Sequence, residues 1–538
     1  MLRPMKNDAP VSILAAWRPG GRRAPGRMAR CAVIAALALS CACGAEQAPA
    51  GTGSVGAAGQ GRGAAPTAPA TSAQTAAPVQ TIQADLPVGG AEGVTGAAAP
   101  PDPAGAKVFE RQAIAAYEKK DYAEYAQLMR KALARNPRSP KLIYNTASGA
   151  ALTGQRDEAI RLLGQLVRMS VVIDPSGDTD FDSMKGSSEL RAVLDGMAAL
   201  RKPVGRSEAA FRLRQKDLIP EGVAFDPGSG TFYVGSVRRR TIVAIDAKGA
   251  SKPFVRERAD GLGSVLGLQV DPPRRALWAC SVALPQMEGY TEAERGQTGA
   301  FQLALATGKL MRKVMLPAPE PASPRQCNDL TVSSAGDVYV ADGSSGAVYV
   351  LRAGEAAFAA LIAPGGLGSP QGLALSADEQ TLFIADYRAG IVNLDLKTRA
   401  MRPLAHADEV TLLGVDGLDL HGGDLIVIQN GINPHRVVRL TLSEGADRVT
   451  RAEILEMNNP LFDEPTLGVV AGGWFHYVAN SQWGRFNKDG TLFPMDKLAE
   501  PVILKIKLRA GRRLTGGFDG HWMRPLARPR RGVSPRRG

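Results

Sequence analysis

A repeated strand–turn–strand unit accounts for most of the C-terminal three hundred residues. Its first copy, IPEGVAFDPGSGTFYVGS at residues 219–236, has alternating runs on both sides of a DPGSG turn. Such alternation around a Gly- and Pro-rich turn is typical of two paired β-strands. Further copies start at Val265, Cys327, Ser369, Val415 and Pro465. Six copies at a spacing of roughly 40 to 60 residues predict an all-β six-bladed β-propeller.

One position of the repeat stands out when the six copies are aligned. It lies just before the first strand and is occupied by Glu221, Leu266, Asn328, Gln371, Asp416 and Thr466. Five of these six side chains carry oxygen. Because the first strand of a propeller blade lines the central channel, we expect this column of residues to form a ring at one mouth of the channel.

The chemistry of the column suggests a metal site. Glu221 and Asp416 provide carboxylates, and Asn328 and Gln371 provide amide carbonyls. An all-oxygen set suits calcium or another hard divalent cation rather than zinc. Facing carboxylates repel each other unless a cation lies between them or one is protonated. The alternative is an ordinary polar lining of a water-filled channel; the spread of the donors over four blades favours the metal site.

The repeats also resemble a known family. PEGVAFDPGSGTFYVGS, CNDLTVSSAGDVYVAD, SPQGLALSADEQTLFIADYRAG and DGLDLHGGDLIVIQNG are similar to blades of the gluconolactonase, regucalcin (senescence marker protein) and luciferin-regenerating-enzyme family. That family is a six-bladed calcium-dependent propeller with lactone-hydrolysing members. The resemblance covers residues 207–508 and implies that Glu221, Asn328 and Asp416 are metal ligands. It further implies that Asp416 is the catalytic base. Gln371 stands where the family usually has asparagine, so its amide oxygen is displaced by one methylene.

Two classes of function follow from these residues. The first is a hydrolase in which a bound cation polarises a lactone or ester carbonyl and Asp416 takes a proton from water. The second is a non-catalytic propeller that acts as a scaffold or binds a ligand, which the substitution at Gln371 favours. The motifs GxxxxGK[ST], GxSxG and HExxH are absent from the sequence, so phosphate-cradle, serine-hydrolase and zinc-protease chemistry receive no support.

The N-terminal region predicts export. Arg30 and the short apolar run that follows it resemble a signal peptide, which we place at residues 1–43. The residues LSCAC resemble a lipobox, so Cys41 or Cys43 is the expected lipidation site; the alternative is an ordinary cleaved signal. Residues 44–105 are rich in Ala, Gly and Pro and predict a disordered tether. We therefore expect a membrane-anchored lipoprotein of the bacterial periplasm or cell surface.

The region between tether and propeller has helical periodicity. AAYEKKDY and YNTASGAALTGQRDEAIRLL, within residues 106–200, resemble tetratricopeptide repeats. Two repeats are fewer than the usual three, so we expect this segment to lean on the propeller or on a partner. It serves either as a structural cap or as a groove for a protein partner. At the other end, ILKIKL, which ends at Leu508, is predicted to supply the closing strand of the first blade.

The distribution of charge limits the kinds of partner that the protein can bind. The cysteines bear on the cellular compartment. Of the net charge of +13, residues 1–30 carry +6 and the predicted disordered tail 509–538 carries +8, which leaves the body at −1. A near-neutral body argues against a nucleic-acid-binding surface. Cys280 and Cys327 lie in neighbouring blades. They form either a disulfide or two buried free thiols.

Overall fold

A computed structural model describes residues 102–318 and 324–509 of the 538-residue chain. A small helical domain is followed by six four-stranded sheets arranged as a propeller, which confirms the predicted fold class. The predicted signal peptide, Cys41 and Cys43, the tether up to residue 101 and the tail beyond Arg509 lie outside the described residues. No helix in the described ranges is long and apolar enough to cross a membrane.

The helical domain consists of α1 (Pro103–Glu118), α2 (Tyr122–Arg135), α3 (Pro140–Leu152), α4 (Arg156–Arg168) and α5 (Ser188–Leu200). Polar residues cap four of these helices. Asp102, Asp121, Ser139 and Ser187 each accept a hydrogen bond from a backbone N–H in the first turn of α1, α2, α3 and α5. Because Asp102 caps α1, the helical domain begins slightly before the boundary expected at residue 106.

The segment between α4 and α5 packs into the helical domain itself. A short 3-10 helix, Thr179–Met184, buries Phe181 completely. Asp180 accepts hydrogen bonds from Tyr117 Oη at 2.6 Å and from Ser148 Oγ at 2.5 Å. Asp178 accepts one from Tyr144 Oη at 2.9 Å. The polar groups between the helices are therefore satisfied by the domain's own chain.

The first strand, β1 (Glu208–Arg212), follows the helical domain. The first three blades, with strands running from the channel outward, are β2 (Pro220–Asp226), β3 (Thr231–Ser236), β4 (Ile242–Ile245), β5 (Ser251–Val255); β6 (Ser264–Asp271), β7 (Ala276–Val282), β8 (Thr298–Ala304), β9 (Leu310–Met315); and β10 (Cys327–Val332), β11 (Val338–Asp342), β12 (Ala347–Leu351), β13 (Ala359–Ile362).

The fourth, fifth and sixth blades contain β14 (Pro370–Leu375), β15 (Thr381–Asp386), β16 (Gly390–Asp395), β17 (Met401–Pro403); β18 (Val415–His421), β19 (Asp424–Gln429), β20 (Arg436–Leu442), β21 (Val449–Met457); and β22 (Gly468–Ala471), β23 (Trp474–Val478), β24 (Val502–Lys507). All neighbouring strands within a blade are antiparallel. The first strands of adjacent blades contact one another around the channel. Apolar side chains fill the spaces between adjacent blades.

The ring of blades is closed by the N-terminal strand. β24 lies third in the sixth blade, and β1 pairs with it as the outer strand, so that the order is β22, β23, β24, β1. The expectation that ILKIKL closes the first blade was therefore wrong. The first blade already has four consecutive strands of its own, and the open edge of the sixth blade is covered by residues from before the first.

The helical domain is docked on the fifth blade through the loop between β19 and β20. Ile432 packs in the helical core, and the backbone N–H of Val172 donates to Asn433 O at 2.7 Å. Arg436, only 4% exposed, donates from its guanidinium to the backbone oxygens of Met169 and Ser170 at 3.1 Å each. A cation at the C-terminal end of α4 also interacts favourably with the helix dipole. The helical domain therefore packs against the propeller, which was one of the two possibilities predicted from its small number of repeats.

Cys280 of β7 and Cys327 of β10 form a disulfide between the second and third blades, with Cα atoms 5.3 Å apart. Of the two alternatives left by the sequence, the structure shows the paired state. Both residues are completely buried in the core between these blades. The bond links residues separated by 47 positions in the chain.

We expect the double substitution Cys280→Ala and Cys327→Ala to lower the free energy of unfolding by about 2–4 kcal/mol, because the crosslink restricts the unfolded chain. Urea unfolding followed by fluorescence, with and without reductant, measures the loss. The reductant should shift the midpoint of the native protein and leave that of the double variant unchanged. Equal midpoints for both proteins without reductant would contradict a stabilising crosslink.

We expect Arg436→Met to loosen the helical domain, since two carbonyls at the end of α4 lose their buried charged donor, at a cost of about 3 kcal/mol. Limited proteolysis should cleave between helical domain and propeller faster in this variant. The control is Arg439→Met in the same strand, because Arg439 binds Asp424 within the fifth blade at 2.6 Å. Release of the helical domain at the same rate in both variants would show general destabilisation instead.

Candidate functional site

A β-bulge interrupts the inner strand at the channel mouth in the first five blades. In the first blade the pairing with β3 passes from Pro220 directly to Val223, so Glu221 and Gly222 have no partner in the ladder. The same irregularity occurs at Leu266, Asn328, Gln371 and Asp416. A bulge redirects side chains locally. The column found in the sequence is therefore a column of bulge residues.

Glycines next to the column let the inner strands approach each other closely. A Cβ on Gly222 would lie 2.3 Å from Leu266 O of the next blade, and one on Gly372 would lie 2.5 Å from Asp416 O. Both distances are too short for any side chain. This is why a glycine follows Glu221 and Gln371 directly.

The structure brings the four predicted ligands together. Glu221, Asn328, Gln371 and Asp416 line one cavity of about 430 Å³, part of it open to solvent. Thr466 does not line it; its hydroxyl donates to Glu221 O at 2.7 Å. Leu266 is buried among apolar side chains between the second and third blades. The two remaining members of the column therefore do not line the cavity but pack behind the residues that do.

The two amides of the cavity are hydrogen-bonded to each other. Asn328 Nδ2 donates to Gln371 Oε1 at 2.5 Å, and Asn328 Oδ1 accepts from the Gly343 N–H at 3.0 Å. Gln371 Nε2 donates to Ser369 Oγ at 3.1 Å. Because a carbonyl oxygen has two acceptor positions, each amide oxygen keeps one. The longer side chain of Gln371 spans the distance between Ser369 and Asn328.

Each carboxylate is held by one side-chain donor. Trp483 Nε1 donates to Glu221 Oε2 at 2.7 Å, and Asn430 Nδ2 donates to Asp416 Oδ2 at 2.6 Å. Asn430 is itself oriented by Tyr387, whose hydroxyl donates to Asn430 Oδ1 at 3.1 Å. The second oxygen of each carboxylate remains available to a ligand in the cavity.

The electrostatics of the cavity favour a positive charge. Burial raises the pKa of Glu221 well above its ordinary value, and the negative charge of Asp416 raises it further, whereas the hydrogen bond from Trp483 lowers it. Burial likewise raises the pKa of Asp416 to about 6, against the effect of its hydrogen bond from Asn430. A cation near both carboxylates stabilises their ionised forms.

Several lining residues were missed from the sequence: Gln326, Gly343, Tyr387, Asn430, Glu464 and Trp483. A second column of the repeat contains three of them. Asp342, Asp386 and Gln429 pair with the residue before the bulge in their blades, and Gly343, Tyr387 and Asn430 directly follow them. Aligning the ends of the second strands would have shown this column. Glu464 and Trp483 lie in irregular segments of the sixth blade, for which the repeat has no equivalent.

Two further carboxylates lie deeper in the channel. Asp329 and Asp419 line a second cavity of about 360 Å³ among the inner strands. Burial raises the pKa of Asp329 to about 7, although its Oδ2 accepts a hydrogen bond from the Leu373 N–H at 3.2 Å. Burial raises the pKa of Asp419 well above its ordinary value too. Acidic groups therefore continue from the mouth into the channel.

The donor set fits a hard divalent cation. In the described part of the chain, no three His, Cys, Asp or Glu side chains form a group that would hold a metal ion. A cation at the mouth would therefore be held by the two carboxylates of Glu221 and Asp416 together with the amide oxygens of Asn328 and Gln371. Such mixed oxygen donors are typical of calcium.

No family model matches the chain, and no curated protein matches its sequence. Solved propellers resemble the structure. The gluconolactonase XC5397 from Xanthomonas campestris is 16% identical over 57% of this chain and 92% of its own, with a TM-score of 0.39. The calcium-binding protein regucalcin from Agrobacterium tumefaciens is 15% identical over 56% of this chain and 96% of its own, with a TM-score of 0.39.

A luciferin-regenerating enzyme is 14% identical over 58% of this chain and 98% of its own, again with a TM-score of 0.39. These are the propellers that the blade sequences resemble. At such identities the likeness concerns the fold and leaves the activity of this chain open. The case for a site therefore depends on the side chains at the channel mouth.

We expect Gly372→Ala to destabilise the protein by about 1–3 kcal/mol, because the added Cβ collides with the backbone of Asp416 and Leu418. The matched control is Gly484→Ala, where nothing lies within 4 Å of the added atom. Thermal unfolding of the two variants measures the difference. A destabilisation as large at Gly484 as at Gly372 would contradict the close approach of the inner strands.

Proposed function

We propose that the protein is a calcium-dependent, or otherwise divalent-cation-dependent, hydrolase of lactones or esters. One observation carries the proposal: Glu221 and Asp416 are buried at the same channel mouth, and no Lys, Arg or His side chain is among the described residues that line it. Buried carboxylates without a counter-charge are costly. A bound cation removes that cost.

When bound, the cation supplies Lewis acidity that polarises a carbonyl and makes a nearby water more acidic. The residues of the chain have separate tasks. Asn328 and Gln371 are hydrogen-bonded to each other, so that their amide oxygens, which would bind the cation, have fixed positions. Asp416 accepts the proton of the attacking water. Asn430, held by Tyr387, keeps one oxygen of Asp416 in place and leaves the other free for the ligand in the cavity.

We further propose that the protein works outside the cytoplasm, in the periplasm or at the cell surface. The disulfide between Cys280 and Cys327 supports this because such bonds persist in oxidising compartments. The signal-like residues 1–43 would direct export, lipidation at Cys41 or Cys43 would provide the membrane anchor, and the tether would separate the folded domains from the membrane.

A non-catalytic binding role is the second candidate, and one contact favours it. Asn328 Nδ2 and Gln371 Oε1 are joined by a hydrogen bond of 2.5 Å, so the two amides already satisfy each other without a ligand. In this alternative the mouth is a polar recess that binds a small molecule and carries out no chemistry. Calcium binding without turnover of any lactone or ester would support it.

We expect the purified protein to bind about one calcium ion tightly, and we expect Glu221→Gln to weaken that binding by at least about 100-fold, because the substitution removes one of only two carboxylates in the donor set. Calorimetric titration and metal analysis measure the binding. A panel of lactones and esters, with and without chelator, then tests for hydrolysis.

The control for this experiment is Glu456→Gln. Glu456 is also buried, but it lies on the outer strand β21, where it accepts hydrogen bonds from Ser207 and Asn459. Its substitution should leave calcium affinity unchanged. Unchanged metal content in Glu221→Gln would contradict the metal site, and chelator-insensitive hydrolysis would contradict cation dependence.

A further inference from the structure

Glu464 is a third buried carboxylate at the channel mouth, and the proposed metal chemistry does not use it. It lies in the irregular segment that precedes the inner strand of the sixth blade and lines the same cavity as Glu221 and Asp416. Its backbone has a φ of +64°, a left-handed conformation that is uncommon for a glutamate. The sixth blade therefore adopts a strained conformation at this position, and only 6% of the residue is exposed.

One carboxylate oxygen of Glu464 lacks a hydrogen-bond partner among the described residues. Within the described ranges, Oε2 is buried and has no hydrogen-bond partner. Its neighbour Asp463, by contrast, binds Arg485 at 2.8 Å and lies outside the cavity. Buried carboxylate oxygens are nearly always paired. An unpaired oxygen on a carboxylate that lines a cavity points to a ligand that interacts with this carboxylate.

The surroundings of Glu464 select the charge of that ligand. The described residues that line the cavity include three carboxylates and no basic side chain, together with the rings of Tyr387 and Trp483. A divalent cation held by Glu221 and Asp416 balances two of the three negative charges and leaves that of Glu464. Acidic oxygen beside aromatic rings suits an ammonium group, which interacts favourably with both.

We propose that Glu464 binds a positively charged nitrogen of the substrate, so that the preferred substrates are lactones or esters that carry an ammonium group. The statement that a lactone or ester bond is hydrolysed rests on the proposed function. The statement that an ammonium group binds rests on Glu464 alone. The carbonyl of such a substrate would face Asp416, and its ammonium group would lie beside the carboxylate of Glu464. Anionic substrates would be rejected because no positive side chain is among the described residues that line the mouth.

The acid–base properties of Glu464 agree with this role. Burial raises its pKa well above the ordinary value, and the negative charges of Glu221 and Asp416 raise it further. A positively charged group next to the carboxylate therefore favours its ionised form. The energetic benefit of seating an ammonium group at this place is larger than at an exposed glutamate, since water screens the charge less.

The test uses the full chain with calcium present and two pairs of probes. Calorimetry compares the binding of butylammonium with that of butan-1-ol. Hydrolysis assays compare (2-acetoxyethyl)dimethylammonium, which carries one N–H donor, with 3-methylbutyl acetate, its uncharged isostere. The wild-type protein should prefer the charged member of each pair by at least about tenfold, by analogy with desolvated cation–carboxylate pairs.

Three variants assign the preference to Glu464. Glu464→Gln should abolish it, so that the charged and uncharged members of each pair are bound or hydrolysed to within about threefold of each other. Glu464→Asp, which keeps the charge, should retain part of the preference. Asp463→Asn removes the neighbouring charge outside the cavity and should retain all of it.

The outcomes separate this inference from the proposed function. A charge preference that persists in Glu464→Gln would overturn the ammonium site. So would a large loss of calcium affinity in that variant, because Glu464 would then be a metal ligand. Glu464-dependent binding of butylammonium in a protein that binds no calcium and hydrolyses neither ester would support the ammonium site and overturn the hydrolase instead.

Discussion

The close approach of six inner strands at one end of the channel is the constraint on which the site depends. There is no room for a Cβ at Gly222 or Gly372, because the backbone of the next blade lies within 2.3 to 2.5 Å of where that atom would be. The ladder cannot continue at this spacing, and a bulge forms at the preceding residue in five blades. In four of these blades, the bulge turns the polar side chain of Glu221, Asn328, Gln371 or Asp416 into the mouth. Packing of the backbone thus fixes the positions of the polar side chains, before any ligand is considered.

Repetition explains what the sequence could predict. Six similar units are enough to define the propeller, and side chains at the same position of the unit, such as Glu221 and Asp416, fall on one ring because the blades are related by rotation. Features outside the repeat could not be found in this way. The pairing of β24 with β1 joins the two ends of the propeller, and no copy of the unit contains that information. Glu464 and Trp483 come from irregular segments whose course depends on tertiary contacts.

The helical domain contacts the loop between β19 and β20, which begins next to the site. Asn430 lies at the end of β19 and holds Asp416, whereas Ile432, two residues later, packs in the helical core. Arg436 at the start of β20 then binds the end of α4. The loop that follows Asn430 is therefore in contact with both domains. A domain that resembles tetratricopeptide repeats in sequence packs here against the propeller close to the channel mouth, and rigid supports hold site residues in place.

The mouth combines features that lower the stability of a protein. Glu221, Asp416 and Glu464 are buried together without a basic partner in the described lining, and Glu464 has an unusual backbone conformation as well. Each feature costs free energy in the absence of a ligand. By contrast, Arg439, a buried cation in the fifth blade, is paired with Asp424 at 2.6 Å. Departures from these rules that cluster in one cavity indicate function more strongly than any one of them alone. Because all three departures are acidic, the ligands that relieve them are cations, and a metal ion together with an ammonium group matches the number of charges.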